Sequence, residues 1–160
     1  MISGTRRRKQ AGHSFVETAL VLLPFLSLFF ALFDFGMAIF VRNTFQHAVR
    51  EGVRYAVTYQ TSCGCGSGHD SSIKAVVQQQ AMGFLSGTAN EDKIKIRYYD
   101  PATLSEVAAN APGNVVEVSV EGYTWGVVTP LLGNMNPIPL TVRASDRMES
   151  LPGGVNPPAR

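Results

Sequence analysis

The chain has 160 residues, with 14 Lys and Arg against 12 Asp and Glu, a net charge of +2 and a hydrophobic fraction of 45%. That length accommodates one membrane segment plus one small domain. The positive excess resides largely in Arg6, Arg7, Arg8 and Lys9, so the rest of the chain offers no basic footprint for a nucleic acid.

The basic leader ends at Gly12, and an apolar run of Leu, Phe, Val, Ala and Ile follows. A helix over residues 15–41 would measure about 40 Å, more than a hydrocarbon core of about 30 Å requires. A soluble core helix is seldom apolar on every face for so long, and a secretory h-region spans only about 7–15 residues. The run therefore predicts a membrane span, and the leader predicts a cytoplasmic N-terminus with the C-terminal bulk across the membrane. Arg42, Arg50 and Arg54 oppose that bias but are dispersed.

Two acids interrupt the run, and an ionised carboxylate near the bilayer centre costs about 2.5–3.5 kcal/mol on insertion scales. Glu17 sits near the cytoplasmic boundary. It reads either as an interfacial acid beside its own basic cluster or as a buried partner for another chain's positive group. Asp34 lies about two-thirds of the way along. Pairing with Arg42, protonation and contact with another subunit stay open, with a structural role near the outer interface favoured. Pro24 removes one backbone hydrogen bond and is the expected place for the helix to bend.

Residues 42–58 continue the helix. Arg42, Gln46, Arg50 and Arg54 recur every four residues on one face, while Val41, Phe45, Val49, Val53, Ala56 and Val57 form an apolar stripe. The stripe is expected to pack under a soluble domain. Arg50 and Arg54 are like charges at i,i+4, mildly unfavourable unless an acid meets them, so they mark a contact surface for a partner or a solvated face.

Three segments in order now carry a resemblance. They are Glu17-Thr18-Ala19-Leu20-Val21-Leu22-Leu23-Pro24, Phe33-Asp34-Phe35-Gly36, and Ala48-Val49-Arg50-Glu51-Gly52-Val53-Arg54-Tyr55-Ala56. Preceded by Gly12, with Glu17 five residues on, they resemble the TadE-like family, pseudopilins of the Tad (tight adherence) or Flp pilus system. The resemblance covers residues 12 to about 57. It departs from Flp-type processing sites at Thr18, where an aromatic is usual, and at His13 as a new N-terminus. It implies a class III signal cut by a prepilin peptidase between Gly12 and His13. It also implies pairing of Glu17 with the N-terminal amine of a neighbouring subunit, which would neutralise two charges and set helix register. The implied protein is a minor pseudopilin of the inner membrane that primes, caps or adapts a filament. Its implied partners are other Tad/Flp pilins and pseudopilins and an inner-membrane assembly platform. The alternatives are an uncleaved single-pass anchor serving as a periplasmic scaffold or tether, and a secreted protein cut by ordinary signal peptidase. The latter fits poorly, because Ala31 and Ala38 give no clean small-x-small site.

The Gly-rich loop 59–70 holds both cysteines, Cys63 and Cys65. Only His69 stands near as a third ligand, too few for a structural metal. In an exported head the pair reads as a strained disulfide or as free thiols.

The head, residues 71–151, reads as α+β. Asp70 or Ser71 is expected to cap a helix to about Ser86, with Gly87 as its stop. Lys93–Tyr99, Val115–Tyr123 and Ile138–Ser145 alternate apolar and polar residues, the signature of a short antiparallel sheet with one wet face. Lys95 or Arg97 is expected to meet Glu117 or Glu121 across strands. Thr103–Asn110 is expected to form a short helix, and 126–139 a loop over the sheet or an exposed apolar patch. The tail 152–160 is expected to be flexible. His13, His47 and His69 lie far apart in sequence, and no nucleophile elbow, Walker loop or dinucleotide fingerprint occurs, so neither an enzyme nor a cofactor is expected.

Overall fold

The computed structural model describes residues 10–61, 68–127, 137–153 and 155–160. Helix α1 covers Gln10–Val57, 48 residues, and so is about 72 Å long. Pro24 lies inside it. Helix α2 is His69–Gln80, and a single turn, α3, is Thr88–Glu91. Four strands follow: β1 Ile94–Tyr99, β2 Glu106–Val107, β3 Val115–Trp125 and β4 Ile138–Arg147. They form one sheet in the order β2-β1-β3-β4 with antiparallel pairing throughout. The architecture is α+β, a long apolar N-terminal helix followed by a small antiparallel sheet domain.

The outer half of α1 is the central element of the head. Val41, Phe45, Ala48, Val49 and Ala56 are fully buried, at the i, i+3, i+4, i+7 spacing that gathers one helical face. That face meets Ile73 and Val77 of α2 and the inward side of the sheet, where Ile94, Tyr98, Val116, Val118 and Val120 are buried. Gly52 permits the close approach of α1 to α2, because a β-carbon there would fall 2.5 Å from Cγ2 of Val77.

The strand alternation is as expected, with Ile94, Val116, Val118, Leu140 and Val142 inward. It is broken once. Between Val120 and Tyr123 the β3–β4 register shifts, and Gly122 at φ 73 supplies the left-handed residue of the bulge. The extra residue turns Tyr123 toward α1, where its ring stands edge-on to Phe45 at 4.8 Å between centroids. On the outward face Arg97 meets Glu121 through two hydrogen bonds of 2.7 and 3.1 Å and lies 3.5 Å from Glu117.

Several expectations are corrected. The second helix ends at Gln80 rather than Ser86. The chain turns over residues 81–85, with Met82 at φ 52 and Gly83 at φ 87, yet Ala81 and Leu85 are still buried. Apolar spacing alone does not report that local reversal. No side chain caps the start of α2: Gly68 holds the cap position, and the Ser71 and Ser72 hydroxyls donate to its carbonyl at 2.8 and 3.1 Å. Thr103–Asn110 is not helical. Asp100 closes a tight turn by accepting from the backbone N–H of Ala102 and Thr103, and Glu106–Val107 then pairs with Tyr98–Tyr99. The tail is docked rather than loose. The His69 N–H donates to the Ala159 carbonyl at 2.7 Å, and Asn110 Nδ2 donates to the Pro158 carbonyl at 2.9 Å.

Candidate membrane and assembly site

From Ser14 to Phe33 no residue of α1 is buried, and Leu20 is 70% and Phe25 62% exposed. Twenty such residues rise about 30 Å, the thickness of a hydrocarbon core. The segment can therefore sit in lipid with its backbone hydrogen bonds made within the helix, save the one that Pro24 removes. Two of its hydroxyls are also satisfied internally: Thr18 donates to the Ser14 carbonyl at 2.9 Å and Ser27 to the Leu23 carbonyl at 2.8 Å. The apolar run of the sequence is longer than this bare part, because burial along α1 begins at Asp34.

Asp34 is 5% exposed and heads the buried stripe that continues through Ala38 and Val41. It thus marks the border between the bare segment and the covered one. Near the other end, Glu17 is exposed, in a shallow apolar recess with Ser14, Thr18, Val21, Leu22 and Phe25. The Gly12–His13 bond lies in the first turn of α1, which starts at Gln10. A second recess, lined by Phe29, Leu32, Phe33 and Met37, opens over Gly36, where a β-carbon would meet nothing within 4 Å.

Arg50 and Arg54 are exposed on the far half of α1. They do not join Asp34 or Glu17. They line a cleft of about 750 Å³ between α1 and the edge strand β4, opposite Arg143, Asp146 and Glu149. Nothing in the local sequence of Arg50 signals Arg143, which only the β3–β4 pairing brings alongside.

Cys63 and Cys65 lie outside the described residues. His69, the third ligand considered for them, is fully buried. Its ring stacks on Tyr59 at 5.9 Å, and its Nδ1 lies 3.5 Å from both Tyr98 Oη and Asn110 Nδ2. Burial lowers its pKa, against the attraction of Asp70, so the ring is held neutral. Beside it Asp70 accepts from Tyr98 Oη and from Arg160, both at 2.9 Å, and the Arg160 guanidinium stands 4.7 Å from the Tyr98 ring centroid. Burial, then the Asp70 charge, pushes the Tyr98 phenol well above its ordinary range. This cluster fastens the tail to the head. Among the described residues no group of three or more His, Cys, Asp or Glu is placed to hold a metal.

The geometry defines a class: an apolar helix compatible with a membrane anchor, the one such helix among the described residues, carrying a small α+β head on its outer half. Residues 12–54 match the family model described as TadE-like protein, consistent with a TadE-like component of the Tad/Flp pilus. No curated protein and no solved structure matches the chain.

Proposed function

We propose that this chain is a minor pseudopilin of a Tad/Flp pilus, inserted with its N-terminus in the cytoplasm and its head outside the inner membrane. The observation that carries this reading is the coincidence of the family match, residues 12–54, with a bare helix one bilayer long that bears Glu17 at its start. TadE-like components are structural parts rather than enzymes. In this reading the prepilin peptidase cuts between Gly12 and His13, and the new amine of one subunit meets Glu17 of its neighbour. A charge pair of that kind fixes register, since a slipped helix leaves both charges unpaired in lipid. Pro24 lets the span bend as it packs among other pilins, pseudopilins and the assembly platform. The head then primes, caps or adapts the filament.

The second reading is an uncleaved anchor. It is favoured by the start of α1 at Gln10, because a peptidase must first unwind the turn that contains the Gly12–His13 bond. Intact mass of the membrane-bound chain, with and without the cognate prepilin peptidase, separates the two. A chain starting at His13 only when the peptidase is present supports the pseudopilin, and one retaining Arg6–Lys9 in both samples supports the anchor. Glu17→Ala is expected to abolish assembly in the first case and to leave an anchor functional in the second.

A further inference from the structure

We propose that the cleft between α1 and β4 is the docking site for an acidic segment of another protein. Three cations line it: Arg50 and Arg54 from one helical face, and Arg143 from the edge strand. All three are exposed, and among the described residues no ion pair engages any of them. Val53, Val57 and Ala144 are among its lining residues. Like charges collected along one cleft are mutually unfavourable, and a bound carboxylate relieves that cost.

The remaining wall narrows the choice of occupant. Asp146 and Glu149 also face the cleft. They would repel a uniformly anionic ligand such as a nucleic acid, whereas a protein segment can set its acids against the arginines and its N–H groups against these two carboxylates. Lipid headgroups are out of reach. Arg50 stands sixteen residues beyond Asp34, about 24 Å along the helix, while the headgroup layer is only about 5–8 Å thick. This exclusion rests on the span proposed above, whereas the charges that line the cleft are independent of it.

The mode of binding follows from Gln46. Its Nε2 donates to the carbonyl of Arg143 at 3.2 Å and so occupies an acceptor of the edge strand beside the cleft, which an added strand would need. Recognition is therefore by side chains rather than by addition of a fifth strand.

The test uses the full chain in nanodiscs of uncharged phosphatidylcholine, titrated by fluorescence anisotropy with labelled peptides of alternating Glu-Ala or alternating Lys-Ala. The Glu-Ala peptide is expected to bind and the Lys-Ala peptide not to bind. Reversal of two charges in Arg50→Glu/Arg143→Glu is expected to weaken binding about tenfold, with the urea midpoint unchanged. Should that variant fail to fold, Arg50→Gln/Arg143→Gln is expected to weaken binding about threefold. Equal affinity for both peptides, or affinity indifferent to these variants, would overturn the proposal. So would displacement of the peptide by inorganic phosphate at equal concentration, which would make this a small-anion site. Self-association lost on the same charge reversal would assign the cleft to a second copy instead. None of these readouts depends on peptidase processing or on Glu17, so failure here is distinct from failure of the pseudopilin reading.

Discussion

Gly52 of α1 faces Val77 of α2 so closely that a single β-carbon would lie 2.5 Å from its Cγ2. The two helices meet across hydrogen rather than methyl, and the head's packing depends on that. Gly52→Ala is therefore expected to destabilise the head. Alanine gains about 0.5–1 kcal/mol over glycine in a helix interior, but overpacking costs about 1–3 kcal/mol. The urea midpoint of the full chain should fall. Gly36→Ala is the control, because nothing lies within 4 Å there, and its midpoint should hold or rise.

The tail latch gives a second prediction. Arg160 joins Asp70, the Tyr98 ring and the Ala108 carbonyl. Its side chain is 35% and that of Asp70 23% exposed, so solvent weakens the ion pair. Arg160→Ala should cost about 1 kcal/mol and speed amide exchange at the start of α2, where the His69 N–H meets Ala159. Unchanged exchange at His69 would show that the tail contributes nothing to that end of the helix.

The buried His69 predicts a pH dependence at mildly acidic values. Its pKa is lowered in the fold from 6.5, so below 6.5 the unfolded chain binds more protons than the native one. Stability is full above that value and falls as the pH drops toward the folded pKa. The groups facing the ring are Asp70, Arg160, Tyr98, Asn110 and Tyr59, and Arg160 opposes protonation. His69→Gln should flatten the fall in stability below pH 6.5, whatever it does to stability at higher pH.

A separate window belongs to the outward face of the sheet. The hydrogen bond from Arg97, then that from Ser119, lowers the Glu121 pKa from 4.5 to about 2. The sign is that of a depressed acid: the contribution is present above 4.5 and is lost as the pH falls toward about 2. Glu121 is 37% exposed, so the loss is expected to be at most about 1 kcal/mol. Glu121→Gln should remove it and leave the slope in the His69 window intact, which separates the two groups.

Much of this architecture is legible in the chain itself, because it follows from local periodicity. The bare segment, the stripe through Val41 and Phe45, and the alternation in β1, β3 and β4 all repeat within a few residues. The Arg97–Glu121 pair is one of the combinations that alternation allows. What periodicity misses depends on single backbone reversals or distant contacts. Gly122 shifts the register so that Tyr123 turns inward, and Met82 follows the end of a helix whose apolar spacing continues to Leu85. The polar, proline-rich tail looks unattached until Tyr98, Asp70 and Asn110 are brought around it. Arg143 likewise joins Arg50 only through the sheet. Glu17 and the Gly12–His13 bond stand out by family resemblance, and their roles are questions for the peptidase and assembly experiments.

One feature of α1 reaches beyond its two ends. The same uninterrupted helix that carries Glu17 supplies the stripe on which the head is built, so membrane and head share one axis. Inserting a single alanine between Phe33 and Asp34 would turn the head by about 100° and lift it by about 1.5 Å relative to Glu17. If Glu17 fixes each subunit's azimuth in the membrane, it also determines which side of the head its neighbour meets, about 50 Å away along the helix from Glu17 to Arg50.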